Sequence, residues 1–161
     1  MIRLATTLDA ADIAAIWNPV IRDSIATFNA QEHSTEAISQ MVSERAATGH
    51  ATFVALLHNK VAGFATYSQF RGGVGYKHTA EHTVIVAPRA AGTGLGRGLM
   101  EALCAHAAGA GIHSLWAGIS GENTNGVAFH ERLGFVHVAT LPEVGRKFDR
   151  WFDLILMQKR L

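Results

Sequence analysis

The residues between Val84 and Met100 hold the densest chemical signal in the chain. Val84-Ile85-Val86 is a β-branched run that favours a strand, and Pro88 ends it because proline has no N–H to give a ladder. Glycines then occupy alternate positions, Gly92, Gly94 and Gly96. Glycine lets the main chain approach a ligand closely and adopt positive φ at little cost. Beyond the loop Leu95, Leu99 and Leu103 recur at i, i+4, the buried stripe of a helix. Strand, glycine loop and helix start together offer free amides and the positive end of a helix dipole, a seat for a phosphate or pyrophosphate. Spacing excludes two common anion loops. A dinucleotide fingerprint needs G-x-G-x-x-G, and the registers here place Arg97, Leu99 and Glu101 where its last glycine belongs. A P-loop needs a lysine after its final glycine, and this segment has no lysine. For the loop taken alone, an ordinary glycine-rich turn before a helix is the competing reading.

The whole chain bounds what such a loop can serve. Its 161 residues suit one domain, long enough to bury roughly 70% of the unfolded surface. A hydrophobic content of 48% with 17% charged residues describes a globular chain. The formal charge of +1 argues against general nucleic-acid binding, which wants a clustered basic face. A polyanionic ligand must then be met locally, by amides and a few arginines. The single Cys104 excludes an internal disulfide and suits a reducing compartment, so a cytoplasmic location is expected. Cys104 itself reads as a small buried thiol on the leucine-striped helix. The N-terminus lacks a signal-peptide core, and no stretch approaches the ~20 apolar residues of a membrane span. The histidines at 33, 50, 58, 78, 106, 113 and 137 show no ligand spacing, so no metal is expected.

Elements must position the loop. Residues 2–6 read as a first strand, and Asp9 starts a helix carrying Ile13, Ile16, Trp17 and Ile21 on one face, which Pro19 should kink or split. Ser34 or Thr35 starts a second helix running to about Thr48, with Gly49 as its stop. Ala51 to Leu57 and Val61 to Gln69 are strands joined by a turn at His58-Asn59-Lys60. Residues 70–79 form a loop, and Ala80 to Val86 is the strand entering the glycines. The helix after the loop ends near Ala110, followed by a strand from His113 to Ile119 and a helix from Asn123 to Leu133. Phe135 to Thr140 and Arg150 to Gln158 close the chain as a strand pair. The order βααβββαβαββ describes an α/β or α+β domain around one mixed sheet.

Ala91-Gly92-Thr93-Gly94-Leu95-Gly96 after a strand is similar to the acyl-CoA loop of the GNAT acetyltransferases, [Q/R]-x-x-G-x-[G/A]. The glycines match, and Ala91 stands where that pattern has Gln or Arg. The backbone cradle survives this change, a side-chain contact there does not, and Arg89 or Arg97 is left to compensate. Further fragments fall in order along the chain: Ile16-Trp17-Asn18, Ala26-Thr27-Phe28, Glu81-His82-Thr83-Val84-Ile85-Val86, Phe129-His130-Glu131-Arg132-Leu133-Gly134-Phe135 and Val144 to Asp153. Together they resemble the phosphinothricin / methionine sulfoximine group of N-acetyltransferases over nearly the full length. The resemblance implies a mixed, mostly antiparallel sheet of about seven strands flanked by about four helices. It also implies acetyl-CoA as co-substrate, a small amino-acid-like amine as acceptor, and a homodimer. Peptide N-terminal acetylation and a non-catalytic acyl-CoA sensor are the alternatives.

The same resemblance assigns roles. Glu81 would take a proton from the amine, directly or through water, for on the order of 10²–10⁴ in rate; a solvated strand-end carboxylate is the competing reading. His82 should face the other way by strand alternation and is assigned at most to ordering the neighbouring loop. Val84, Ile85 and Val86 would line the pantetheine arm, with the amides of Val84 and Val86 pairing as if to an added strand. Ala91, Gly92, Thr93, Gly94, Leu95, Gly96 and Arg97 would hold the pyrophosphate. Asn123 stands at a cofactor-contact asparagine and is equally suited to cap the next helix. His130 would protonate the departing thiolate, with a packed helix histidine as its competitor. Arg71 can grip a carboxylate in two parallel bonds, Tyr76 stands beside it, and Phe28 and Trp17 can wall the pocket. Lys147 to Trp151 would lie near the substrate and a dimer partner, and a surface charge is the competing reading of Lys147.

Overall fold

Alternating apolar residues in a strand serve two faces, and here both faces are covered. In a computed structural model describing residues 1–161, the chain runs β1 (Ile2–Leu4), α1 (Ala10–Asp23), α2 (Thr35–Ala47), β2 (Thr52–Leu57), β3 (Lys60–Gln69), β4 (Thr79–Val86), α3 (Leu95–Gly109), β5 (Ser114–Ser120), α4 (Thr124–Arg132), β6 (Val136–Lys147) and β7 (Arg150–Arg160). The seven strands form one sheet in the order β1-β2-β3-β4-β5-β7-β6. Every neighbouring pair is antiparallel except β4 with β5.

Phe53, Ala55, Ala65 and Tyr67 point to the face covered by α3, where Leu99, Met100, Leu103 and Ala107 meet Leu115, Phe135 and Met157. Val54 and Phe64, one residue out of phase, point to the face covered by α1 and α2, against Ile13, Ile16, Ile38 and Val42. Each large apolar side chain buried this way contributes about 1.5–3 kcal/mol. Double coverage explains why β3 reads as a continuous apolar run.

Local chemistry sets the boundaries. Ser34 caps α2 by accepting from the Ala37 amide at 3.1 Å, and Asn123 caps α4 by accepting from the Gly126 amide at 2.9 Å. Gly49, Gly111 and Gly134 end helices at φ of 79°, 83° and 85°. Helix α1 is not split: it runs unbroken through Pro19. The carbonyl that Pro19 leaves without a donor belongs to Ala15, and both residues are exposed, so that carbonyl is open to solvent. Strand β6 runs on through residues 141–147, beyond the expected end at Thr140, and β7 starts at Arg150 and ends two residues later than expected. They turn at Phe148 and Asp149, both left-handed at φ 51° and 59°, a two-residue hairpin without the usual Asn-Gly signal.

The parallel pair is where the sheet opens. Strands β4 and β5 pair only at Thr79↔Ser114, Ala80↔Leu115 and Glu81↔Trp116. Strand β4 then keeps its register with β3 as far as Gly63↔Val86, while β5 keeps its register with β7 as far as Ser120↔Leu154. The result is a wedge with Glu81 at its apex and the unpaired edges of Thr83–Val86 and Ala117–Ser120 as its sides.

Candidate active site

A cavity of about 300 Å³ occupies this wedge, lined on its strand sides by Glu81 to Ile85 and Ala117 to Ser120 and closed by Trp17, Phe28, His130 and Leu154. A second cavity of about 480 Å³ lies beyond Val86. Its lining includes Ala91, Gly92, Gly94, Gly96 and Arg97 of the glycine loop with Phe129 and Arg132 of α4. The open edge of β4 runs from one cavity to the other.

Backbone direction decides which groups face the wedge. The Ala87 amide donates to the Ala62 carbonyl of β3 at 2.8 Å, so by alternation the amides of Ile85 and Thr83 also point to β3. Those of Val84 and Val86 point the other way, into the gap. Ile85 offers no amide there, and its side chain packs against the α1/α2 core.

The glycine loop keeps its amides free. Gly92 and Gly94 are left-handed at φ 74° and 81°, and a Cβ on Gly96 would come within 3.3 Å of the Phe129 ring and 3.4 Å of Val86. The amides of Gly92, Gly94, Leu95, Gly96 and Arg97 have no acceptor within the protein, whereas Gly98 already bonds the Gly94 carbonyl. Five unbonded N–H groups at and just before a helix start, with Arg97 and Arg132 beside them, suit a pyrophosphate. Of the two arginines left to compensate for Ala91, Arg89 is tied back to the Val61 carbonyl at 2.5 Å, so Arg97 is the one that faces the cavity. Arg132 was not among the residues singled out from sequence. Thr93 turns its hydroxyl back to the Ala90 carbonyl at 2.7 Å.

Glu81 is exposed to the wedge and its carboxylate accepts no hydrogen bond from the protein, yet the surrounding chain raises its pKa above the usual carboxylate value by desolvation. Its room comes from Gly118, where a Cβ would stand 2.9 Å from Glu81 Oε1. His82 takes the opposite face of β4 but lines the same cavity, because the cavity passes through the gap between strands. It orders no loop. Its Nδ1 meets the Trp116 carbonyl at 2.9 Å and its Nε2 meets His130 Nε2 at 3.0 Å. His130 Nδ1 meets the Gly126 carbonyl at 2.7 Å, so both its ring nitrogens are engaged. Burial lowers the pKa of both histidines, that of His82 to about 3.

Phe28 packs 5.5 Å from Phe152 and Trp17 4.9 Å from Phe64, ring centre to ring centre, which fixes two walls of the cavity. Lys147 is buried, not a surface charge: its ammonium donates to the carbonyls of Ile21, Ser24 and Thr27 at 2.5, 2.6 and 2.9 Å. It thereby holds the segment that carries Phe28. Arg71 and Tyr76 depart from expectation. They stack on one another, 5.7 Å from guanidinium carbon to ring centre, on an exposed loop outside the cavity lining. The 3₁₀ turn at Val74–Tyr76 and the bonds from Gln69 to the Arg71 and Gly73 carbonyls fold that loop onto itself. Asn123 caps α4 and also lines the first cavity. Cys104 is half-buried, and burial pushes its thiol up.

A strand-edge wedge that leads from an unbonded carboxylate to an amide cradle is the layout of an acyltransferase working on a phosphate-bearing thioester. The profile of the Acetyltransferase (GNAT) family matches residues 17–135, and the chain belongs to that family. It is 35% identical over 160 residues to an L-methionine sulfoximine/L-methionine sulfone acetyltransferase of Salmonella typhimurium, covering 99% of this chain and 94% of that one. Among solved structures it is similar to a ribosomal-protein-alanine N-acetyltransferase from Brucella melitensis, with a TM-score of 0.96 and 37% identity over 100% of this chain and 99% of that one. It is equally similar in fold to a putative acetyltransferase from Salmonella typhimurium solved with acetyl-CoA, with a TM-score of 0.96 and 35% identity over 100% and 93% of the two chains.

Proposed function

We propose that this protein transfers the acetyl group of acetyl-CoA to the amine of a small amino acid or amino-acid analogue of the methionine sulfoximine or phosphinothricin type. The observation that carries this reading is the unbonded Glu81 carboxylate at the apex of a wedge whose far end is a cradle of five free amides. The cradle takes the pyrophosphate. The amides of Val84 and Val86 pair with the extended arm of the thioester as an added strand would, and polarise its carbonyl. An α-amine is mostly protonated near neutrality, so it must lose a proton before it attacks. Glu81 takes that proton, and desolvation suits it to the task by raising its basicity. The amine nitrogen then bonds the carbonyl carbon and loses its second proton to Glu81, which has passed the first to solvent, while the C–S bond breaks and the sulfur takes a proton from the side of the cavity held by His130. Trp17 and Phe28 wall an acceptor space of amino-acid size, and Thr27, Thr83 and Asn123 supply polar lining in place of Arg71 and Tyr76.

The similarity to a ribosomal-protein-alanine N-acetyltransferase favours a second reading, acetylation of a peptide N-terminus. The walls formed by Trp17, Phe28 and Leu154 favour the small acceptor. A cytoplasmic homodimer completes the proposal. Support for the dimer is the row of exposed apolar residues on the edge hairpin, Val136, Val138, Val144, Phe148 and Trp151.

Thiol release from acetyl-CoA is measured against amino acids, methionine sulfoximine, phosphinothricin and alanine-initiated peptides. A small amino-acid acceptor should give the highest kcat/KM. Glu81→Gln should lower kcat by about 10²-fold or more with acetyl-CoA affinity nearly unchanged. In the parent enzyme activity should rise with pH through the raised Glu81 pKa, because only the carboxylate form accepts a proton. A preference for peptides would replace the acceptor, and equal loss of turnover and cofactor affinity would remove Glu81 from the chemistry.

A further inference from the structure

The His82–His130 contact carries more than packing. A backbone carbonyl only accepts hydrogen bonds, so the Trp116 carbonyl requires a proton on His82 Nδ1 and the Gly126 carbonyl requires one on His130 Nδ1. With both Nδ1 positions protonated, two neutral rings would point bare lone pairs at each other across the 3.0 Å between their Nε2 atoms. One added proton turns that repulsion into an N–H···N bond, and all three contacts are then satisfied.

We infer that His82 and His130 act as one unit holding a single proton between their Nε2 atoms, with His82 a positioning residue that sets the protonation of His130 for the acid step. This rests on the acetyl-transfer reading above. In that step the proton leaves the shared position for the sulfur as the C–S bond breaks. The two protons that the ammonium nitrogen gives up leave in turn through Glu81 to solvent, and solvent exchange returns Glu81 and the pair to their starting charges.

Opposing forces make the unit a usable acid. Burial lowers the proton affinity of His130, and the Gly126 carbonyl recovers only part of it. A second proton is excluded near neutrality, because burial and the charge on His130 hold His82 at about 3. The groups facing the pair are the Trp116 carbonyl from β5, the Gly126 carbonyl from α4, and the rings of Phe129 and Phe135. No carboxylate bonds either ring, and Glu81 is the one acid lining the same cavity. A cation poorly stabilised by its surroundings releases its proton readily once a thiolate forms beside it.

The test reads the histidine ring nitrogens of the intact enzyme by NMR, across its active pH range, with and without acetyl-CoA. Both Nδ1 atoms of the pair should stay protonated, and the two Nε2 atoms should titrate together as one proton. An unprotonated Nδ1, or Nε2 atoms that titrate independently, would overturn the proposal. His82→Asn can keep the bond to Trp116 through its amide nitrogen, but its shorter side chain places no acceptor where Nε2 meets His130. The alkaline limb of kcat should move to lower pH by about one to two units. The KM for acetyl-CoA should stay within about twofold. A limb that stays in place while kcat falls reduces His82 to a packing residue. Should the parent enzyme transfer no acetyl group, the function is wrong, and the ring-nitrogen titration still decides whether the pair shares a proton.

Discussion

Gly118→Ala isolates the position of one carboxylate. A Cβ at residue 118 would lie 2.9 Å from Glu81 Oε1 and 3.6 Å from Leu154 Cδ1. The leucine contact is ordinary; the carboxylate contact is not, and Glu81 must withdraw by roughly half an ångström. The chain at Gly118 is regular strand without positive φ, and the atom in the way is the free end of a flexible side chain. Stability should therefore change by less than about 1 kcal/mol. Catalysis should suffer more. If a misplacement of about 1 Å costs about 10²-fold, half of that costs about tenfold in kcat, or about 1.4 kcal/mol. The assay is thiol release at saturating acetyl-CoA, beside a thermal melt. The loss must run through Glu81, so Gly118→Ala added to Glu81→Gln should change kcat by less than about twofold. A full tenfold loss on that background would show that Gly118 acts on something else. Unchanged kcat in the single variant would show that Glu81 does not need its place.

Two further outcomes follow from side chains away from the reacting atoms. Lys147→Met removes three donations to the carbonyls of Ile21, Ser24 and Thr27, and should lower stability by about 3 kcal/mol, a fall in Tm of about 6–12 °C. Because that segment carries Phe28, the KM for the amine should rise more than that for acetyl-CoA, and equal rises would detach Lys147 from the acceptor wall. Asp9 is held at about 2, first by its bonds to Arg3. Its folded pKa is depressed, so it contributes stability above the ordinary carboxylate value that is lost as pH falls towards 2. Asp9→Asn should remove up to about 2 kcal/mol at neutral pH and flatten the acid limb of denaturant midpoints against pH. An unchanged limb would assign it to another carboxylate.

Sequence patterns reached the sheet and helices wherever a local rule held. Gly49, Gly111 and Gly134 marked helix ends because a left-handed residue there is cheap only for glycine. The rules failed where partners from elsewhere decide. The hairpin at Phe148-Asp149 is held by its long flanking strands, not by residues that prefer its φ. Lys147 reads as a surface charge because nothing nearby in sequence shows that the last turn of α1 and the segment after it bring three carbonyls against it. Arg71 and Tyr76 have the right chemistry for a carboxylate, but they stack on one another and are not among the residues that line the cavity. Gly118 did carry a signal: a lone glycine inside a strand marks a close approach, here of the Glu81 carboxylate.

The break between β4 and β5 ties these elements into one device. A parallel pair that continued to the strand ends would consume the amides of Val84 and Val86 and leave no space for a ligand. Pairing stops after Glu81↔Trp116 because each strand follows its other neighbour, β4 with β3 and β5 with β7. Their divergence exposes a strand edge inside the molecule, where most unpaired edges would be covered or blunted. The edge is kept open by small residues at its borders: Gly118 beside the carboxylate and Gly96 where α3 meets Phe129. It is rigid because α1 and α2 pack one face of the sheet and α3 the other. The unsatisfied amides thus lie on a preorganised surface, and a thioester that pairs with them recovers hydrogen bonds the fold leaves unmade. Filling the gap at Gly118 therefore disturbs the carboxylate, and filling it at Gly96 disturbs the border of the cradle, while both spare the core, a separation that destabilising core substitutions cannot produce.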